Sequence, residues 1–351
     1  MILLPLSSTP VVPSFPTPLR PPVTIEVRRG DLVESRHRVA LAVVDGDGAV
    51  VESHGDVEAP IYPRSAIKLL QALPLVESGA ADAFRLAGPE LALAAASHSG
   101  EPIHTDTVRA WLDRIGLGPG DLECGAHWPQ DLGAQIGLAR SGEGPSALHN
   151  NCSGKHTGFL TTCRHLGEVT AGYIAAEHPA QRRAVAVFEA MCGLDLSRAP
   201  RAIDGCGLPQ IGIPLPALAY AMARFGTPQG LAPVRAAACR RILAAIVAHP
   251  VMIAGQNRVC TRLNALARGQ AVVKGGAEGV YMGTIPERGL GFALKVEDGA
   301  GRAAEVAAAS LLSRLAVLDE GQRAMLRGLI APPVLNVAGK EVGRIAPSPE
   351  W

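Results

Sequence analysis

Period-two alternation of apolar and polar side chains is confined to the two ends of this 351-residue chain, and this limits how it can fold. From about residue 24 to 53 it runs VTIEVRRGDLVESRHRVALAVVDGDGAVVES. Gly-Asp and Asp-Gly breaks between β-branched runs there predict antiparallel hairpins. Late in the chain AVVKGG, GVYMGTIP and GLGFALKVED predict a meander, with an Ala-rich helix following over about 302–318. The middle carries helical signals. RSAIKLLQALPLVESG follows Pro63 and is kinked or ended at Pro74, PELALAAASHSG begins at Pro89, and TDTVRAWLDRIG sets Val108, Trp111, Leu112 and Ile115 on one face. Further helices are expected near 179–192, 214–225 and 231–248. The class expected is α+β: an antiparallel sheet drawn from both chain ends (about 23–60 and 270–345) with a helical middle (about 61–269) on or beside it.

Composition removes several functions. Hydrophobic residues make up 48% and charged residues 19%, with a formal charge of +1, which suits a globular protein with a substantial core. No block of Lys and Arg offers a nucleic-acid surface, and Arg, Glu, Gly or Pro interrupts every apolar stretch short of a membrane span. Residues 1–22, MILLPLSSTPVVPSFPTPLRPP, lack a basic n-region and are broken by prolines, so they are expected to form a flexible or extended leader rather than a signal peptide. Residues 23–351 are then expected to form a single unit. Seven cysteines, an odd number with no CxxC pair, point to reduced thiols and a cytoplasmic setting.

Of 33 basic residues only five are lysines: Lys68, Lys155, Lys274, Lys295 and Lys340. A lysine kept in an arginine-rich chain is a candidate for work that needs a neutral amine, which arginine cannot supply. Ser65 and Lys68 form an S-x-x-K, and on a helix opened by Pro63 positions i and i+3 share a face. Burial and the positive helix end both favour a neutral Lys68, able to take the serine proton. Ser97 follows in SHSG at the end of the next helix, and Lys274 opens KGG on a late strand. Lys274 could activate Ser97 or bind a substrate carboxylate. This order of elements is the one used by serine β-lactamases and penicillin-binding proteins.

A second constellation lies in HNNCSGKHTGFL and AIDGCGLPQIG, with Cys152, Lys155 and Cys206 in polar, glycine-flanked loops beside Asp204. Thiolates suit Zn²⁺, although the spacing is not a standard zinc pattern. His149, Asn150, Asn151 and His156 are ligands, hydrogen-bonding groups or caps. Cys124 is a weaker candidate, and Cys163, Cys192, Cys239 and Cys260 are expected to be structural.

RSAIKLLQALPLVESGAADAF, ASHSGE, CGAHWP, HNNCSGKHTGFL, IDGCGLP and VVKGGAEGVY, in that order, resemble the asparaginase II family, the rhizobial-type L-asparaginases. The resemblance implies a serine β-lactamase-like fold and a homodimer acting on L-asparagine. It implies Ser65 as nucleophile with Lys68 as its base, Ser97 and Lys274 as a second couple, and zinc held by Cys152, Lys155 and Cys206. It also sets Arg64, His156 and Asp204 near the substrate, Asp204 facing the α-ammonium and Arg64 the α-carboxylate. Two rivals stand beside this reading. A β-lactamase or peptidoglycan peptidase would carry an export signal, S-x-N and K-[ST]-G, where this chain has SHS and KGG. A non-catalytic, metal-dependent amino-acid-binding protein would keep the cleft without the turnover.

Overall fold

The β-branched run after Pro22 pairs across the whole length of the chain. In the computed structural model, which describes residues 20–351, β1 (Val23–Arg29) lies antiparallel to β10 (Glu341–Pro347), with Ile25 opposite Pro347 and Val27 opposite Ile345. Its other neighbour is β2 (Leu32–Asp45), reached through a tight turn at Gly30, whose φ of 55° suits glycine. Most of the Pro-rich leader, residues 1–19, lies outside the described residues. Its last residues are tied to the body: Arg20 C=O accepts from Gly55 N at 2.9 Å, and Pro21 C=O lies 3.1 Å from His54 Nδ1.

The first half of β2 alternates in burial, whereas Val39 to Val44 are buried without a break. Continuous burial means that both faces are covered. On one edge β2 meets β1 and then β3 (Val50–His54), and on the other it meets β8 (Leu290–Val296). Antiparallel pairing continues through β7 (Val280–Ile285) to β6 (Val272–Gly276), while β9 (Pro333–Leu335) closes the far side against β10. The sheet therefore runs β6-β7-β8-β2-β1-β10-β9, with β3 pairing alongside β2. A separate small hairpin joins β4 (Arg201–Ile203) to β5 (Pro209–Ile211). The α+β class and the sheet built from both ends are as the sequence pattern predicts; that hairpin, with three residues in each strand, is too short to show a period.

Helices Leu215–Gly226 and Gly301–Leu315 pack on β7, β8 and β2, and the second reaches β10. The first approaches closely because β8 begins with Leu290-Gly291. A Cβ on Gly291 would lie 2.1 Å from Ala219 O and 2.2 Å from Ala223 N. Helix Pro102–Arg114 buries Val108, Trp111 and Leu112, with Ile115 buried just beyond its end, the face its periodicity predicts. Pro74 acts as a break: residues Lys68–Gln71 and Leu73–Glu77 form two short helices, the second with Pro74 in its first turn. No helix among the described residues is long and apolar enough to cross a membrane.

Gly291→Ala forces helix Leu215–Gly226 off the sheet against backbone atoms that cannot rotate aside. We expect a loss of about 3 kcal/mol in a urea denaturation, at the high end for overpacking.

Candidate active site

Sequence-distant elements meet at the edge strand β6. Its open edge is closed by a side chain: Asn264, buried on helix Val259–Ala267, accepts from Val273 N at 2.9 Å and donates to Val273 O at 3.0 Å. This amide takes the place of a missing strand and fixes the register of the next residue, Lys274. Opposite lies the turn bearing Ser65. Rather than opening an α-helix, Arg64–Ile67 form a 3-10 turn after Pro63, and Arg64 takes a left-handed φ of 49°. For a non-glycine residue that conformation is uncommon and must be held by its surroundings. The side chain of Arg64 supplies the hold, donating to Asp204 Oδ1 through Nε at 2.9 Å and Nη2 at 2.8 Å. Gly276 completes the fit, since a Cβ there would lie 2.9 Å from Ala66 N and 3.2 Å from Ser65 N.

Lys68 turns inward from this turn and is fully buried. Its amine donates to Ala96 O at 2.6 Å, Ser97 Oγ at 2.9 Å and Cys152 Sγ at 3.0 Å. Its hydroxyl partner is thus Ser97 and not Ser65, although the i, i+3 spacing predicts the latter. Lys274, also buried, reaches the same Ser97 Oγ at 2.9 Å. One hydroxyl lies between two amines, and Ser65 and Ser97 line a common cavity of about 210 Å³ with Lys274.

Burial disfavours the charged form of both amines. It lowers Lys68 from its ordinary value, opposed by Cys152 and assisted by Lys155. It lowers Lys274 to about 7, with repulsion from Lys68 adding to the effect of burial and attraction from Cys260 resisting it. Lys274 is therefore poised between ammonium and amine near neutral pH, where a general base works best.

Behind Lys68 lies the second constellation. Cys152 stands at the start of helix Ser153–Leu166, where Asn150 Oδ1 accepts its N–H at 2.9 Å, so Asn150 is a cap of this turn. Lys155, one turn on, donates to Cys206 Sγ at 3.1 Å. The hydrogen bond between the two thiols drives them apart: Cys152 is pushed well below the usual thiol value and Cys206 well above it. Burial opposes a charge on Lys155, but the neighbouring thiols outweigh it and the amine is held as a cation. Among the described residues no three His, Cys, Asp or Glu side chains cluster to hold a metal ion. The triad here is two sulfurs and an amine.

The remaining expected residues flank this triad. Asp204 stays ionised; burial raises its carboxyl, and Lys155 and Arg64 more than reverse this. His156 is fully buried with Nδ1 at 2.6 Å from Tyr173 Oη. The tyrosine oxygen also accepts from Glu123 N at 2.9 Å, and the other ring nitrogen of His156, Nε2, has no partner among the described residues. Burial drives the ring well below the usual histidine value, so it is neutral. His98, between the two serines of SHS, points away from the cleft into a stack on His104 and a hydrogen bond with Ser153 Oγ at 2.8 Å.

Residues 25–347 match the sequence profile of the L-asparaginase II family. This chain belongs to that family. Every element described above, from β1 to β10, falls within or at the margin of the matched span. Among curated proteins none matches the chain. Membership of the L-asparaginase II family makes this chain an amidohydrolase.

Three cavity residues escape the sequence reading. Cys260, expected to be structural, lines the cleft and accepts from Gly275 N at 3.0 Å. Arg258 and Glu305 also line it, and neither sits in a motif of recognisable spacing.

Gly276→Ala displaces the Ser65 turn by tenths of an ångström. We expect amidohydrolase activity to fall roughly 10-fold or more, with the thermal midpoint changed far less, because misplacement is costlier to rate than to packing here.

Proposed function

We propose that this protein hydrolyses L-asparagine to L-aspartate and ammonia by acyl transfer through a serine, on a serine β-lactamase-like arrangement of turn, helix end and edge strand. The observation that carries the reading is the Ser97 hydroxyl, 2.9 Å from the Lys68 amine and 2.9 Å from the Lys274 amine, in a cavity it shares with Ser65. Ser65 is the nucleophile: its turn is strained at Arg64 and its hydroxyl has no protein hydrogen bond among the described residues. Its proton passes to Ser97 and on to an amine. The oxygen attacks the side-chain amide carbon, ammonia departs with a proton returned from the lysines, and water then cleaves the aspartyl ester. The Ser65 N–H is the candidate donor to the tetrahedral oxyanion. A second reading has Ser97 itself attacking, because only Ser97 touches a base directly.

Cys152, Lys155 and Cys206 fit a zinc ion by their chemistry: two sulfurs, one already favouring the thiolate, and an amine 3.1 Å from the second sulfur. When bound, zinc would supply a fixed positive charge beside the cleft that orients substrate. An amine must be neutral to bind a metal, so Lys155 would release its proton on becoming a ligand. Arg64 and Asp204, expected at the substrate head, are engaged with each other and hold the Ser65 turn; His156 offers its unpartnered Nε2. The homodimer and the cytoplasmic setting belong to the same proposal. The β-lactamase reading predicts nitrocefin turnover without ammonia from asparagine, and the non-catalytic reading predicts asparagine binding without ammonia.

Coupled ammonia detection with asparagine and glutamine tests this directly. Ser65→Ala is expected to lose at least about 10³-fold in kcat while the ester trapped on wild type disappears. Retained activity with an ester mapped to Ser97 would move the nucleophile to Ser97. Lys274 must be neutral to accept a proton, so kcat/KM should rise with pH through an apparent pKa of about 7. Lys274→Arg should abolish that rise along with the activity. Zinc content should fall in both Cys152→Ala and Cys206→Ala, and undiminished zinc in both would remove the metal assignment.

A further inference from the structure

The charged pair nearest Ser65 is already closed on itself. Arg64 spends two donors on one oxygen of Asp204, and the other oxygen of Asp204 accepts from Gln210 Nε2 at 3.3 Å. A free amino acid brings an α-carboxylate and an α-ammonium into the cleft, and both lose water on entry. Each needs a partner of opposite charge that is not taken.

The cavity provides such a pair on its other wall. Arg258 and Glu305 line the same 210 Å³ space as Ser65, Ser97 and Lys274. Among the described residues Arg258 has no carboxylate partner. Its one side-chain hydrogen bond runs from Nη1 to Gln130 Oε1 at 2.8 Å, which leaves the rest of the guanidinium fork open. The half-buried carboxylate of Glu305 has neither hydrogen bond nor ion pair among the described residues. Burial raises its pKa, and Arg258 only partly offsets this. A half-buried carboxylate without a partner carries a desolvation cost that an entering ammonium would relieve.

Arg258 is also held in place relative to the nucleophilic centre. Buried Glu101 accepts from Ser99 Oγ at 2.5 Å and from Gln256 N at 3.0 Å, tying the strand of chain that bears Arg258 to the one that bears Ser97. Gly255, at a φ of 116°, makes this close approach possible, since a Cβ there would lie 2.0 Å from Ser99 Oγ. The space itself is smaller than the ~300–1,000 Å³ usual for drug-sized ligands, and suits a single amino acid.

We propose that Arg258 and Glu305 read the zwitterionic head of the substrate amino acid, Arg258 taking the α-carboxylate and Glu305 the α-ammonium. The inference rests on the amidohydrolase reading of the cleft and assigns the specificity-determining residues of that same site. It makes this enzyme selective for free α-amino acid amides over amides lacking either head charge.

The test compares three substrates: asparagine, its α-carboxamide, which lacks the carboxylate, and succinamic acid, which lacks the amino group. In Arg258→Gln the KM for asparagine is expected to rise roughly 10- to 100-fold with kcat within a few-fold, and the preference over the α-carboxamide to vanish. In Glu305→Gln the same rise is expected, with loss of preference over succinamic acid. Arg258→Lys should recover part of the affinity. Calorimetric titration of L-aspartate into each folded variant reads the same recognition without turnover. Wild type that binds aspartate but releases no ammonia would overturn the reaction and leave the head recognition standing. Unchanged KM, preference and aspartate affinity in both variants would overturn the head recognition, as would a loss confined to kcat.

Discussion

A single hydroxyl shared by two buried lysines is the constraint around which this protein is built. Two amines within 2.9 Å of one oxygen cannot both remain cations in a dry site without mutual repulsion. The arrangement is stable only because burial makes at least one neutral form accessible. Each lysine arrives from a different part of the fold, one from the short helix that follows a 3-10 turn and one from an edge strand. The surrounding packing exists to hold those two arrivals in register: the Asn264 amide against β6, Gly276 against the Ser65 turn, and the ion pair that clamps Arg64.

The same lysine that meets Ser97 also meets Cys152, so the two constellations form one connected polar network. Charge in the thiol site is felt at the serine site through Lys68. The thiol pair holds a negative charge, Lys155 balances it, and Lys68 lies between this pair and the hydroxyl. A cleft of this kind couples the protonation of Lys68 to the charge on the two sulfurs.

The sequence makes the sheet visible because long, alternating strands keep their period, and it makes the lysines visible because the chain uses arginine almost everywhere else. Cys152, Lys155 and Cys206 stand out for their glycine-flanked, polar neighbours, and the structure does bring their side chains together. Local spacing misleads at Ser65 and Lys68. Their i, i+3 separation is real, but a left-handed Arg64 and a 3-10 turn send the amine inward, toward a serine in the irregular segment that follows helix Gly88–Ala94. The Arg64–Asp204 pair, 140 residues apart, is a product of topology that no local pattern encodes. Arg258 and Glu305 escape for the same reason, each ordinary where it stands in the chain and notable only for the space it faces.

The pairing of β1 with β10 has a consequence for how the molecule comes into being. Among the described residues β1 is synthesised long before β10, so its outer edge stays unfilled until that distant strand has been made. Lys68 and Ser97 likewise precede Lys274 by a long stretch of chain, so the hydroxyl gains its second amine only when β6 is in place. The filled edge of β1 and the second lysine contact of Ser97 are thus both supplied by segments made well after the residues they complete.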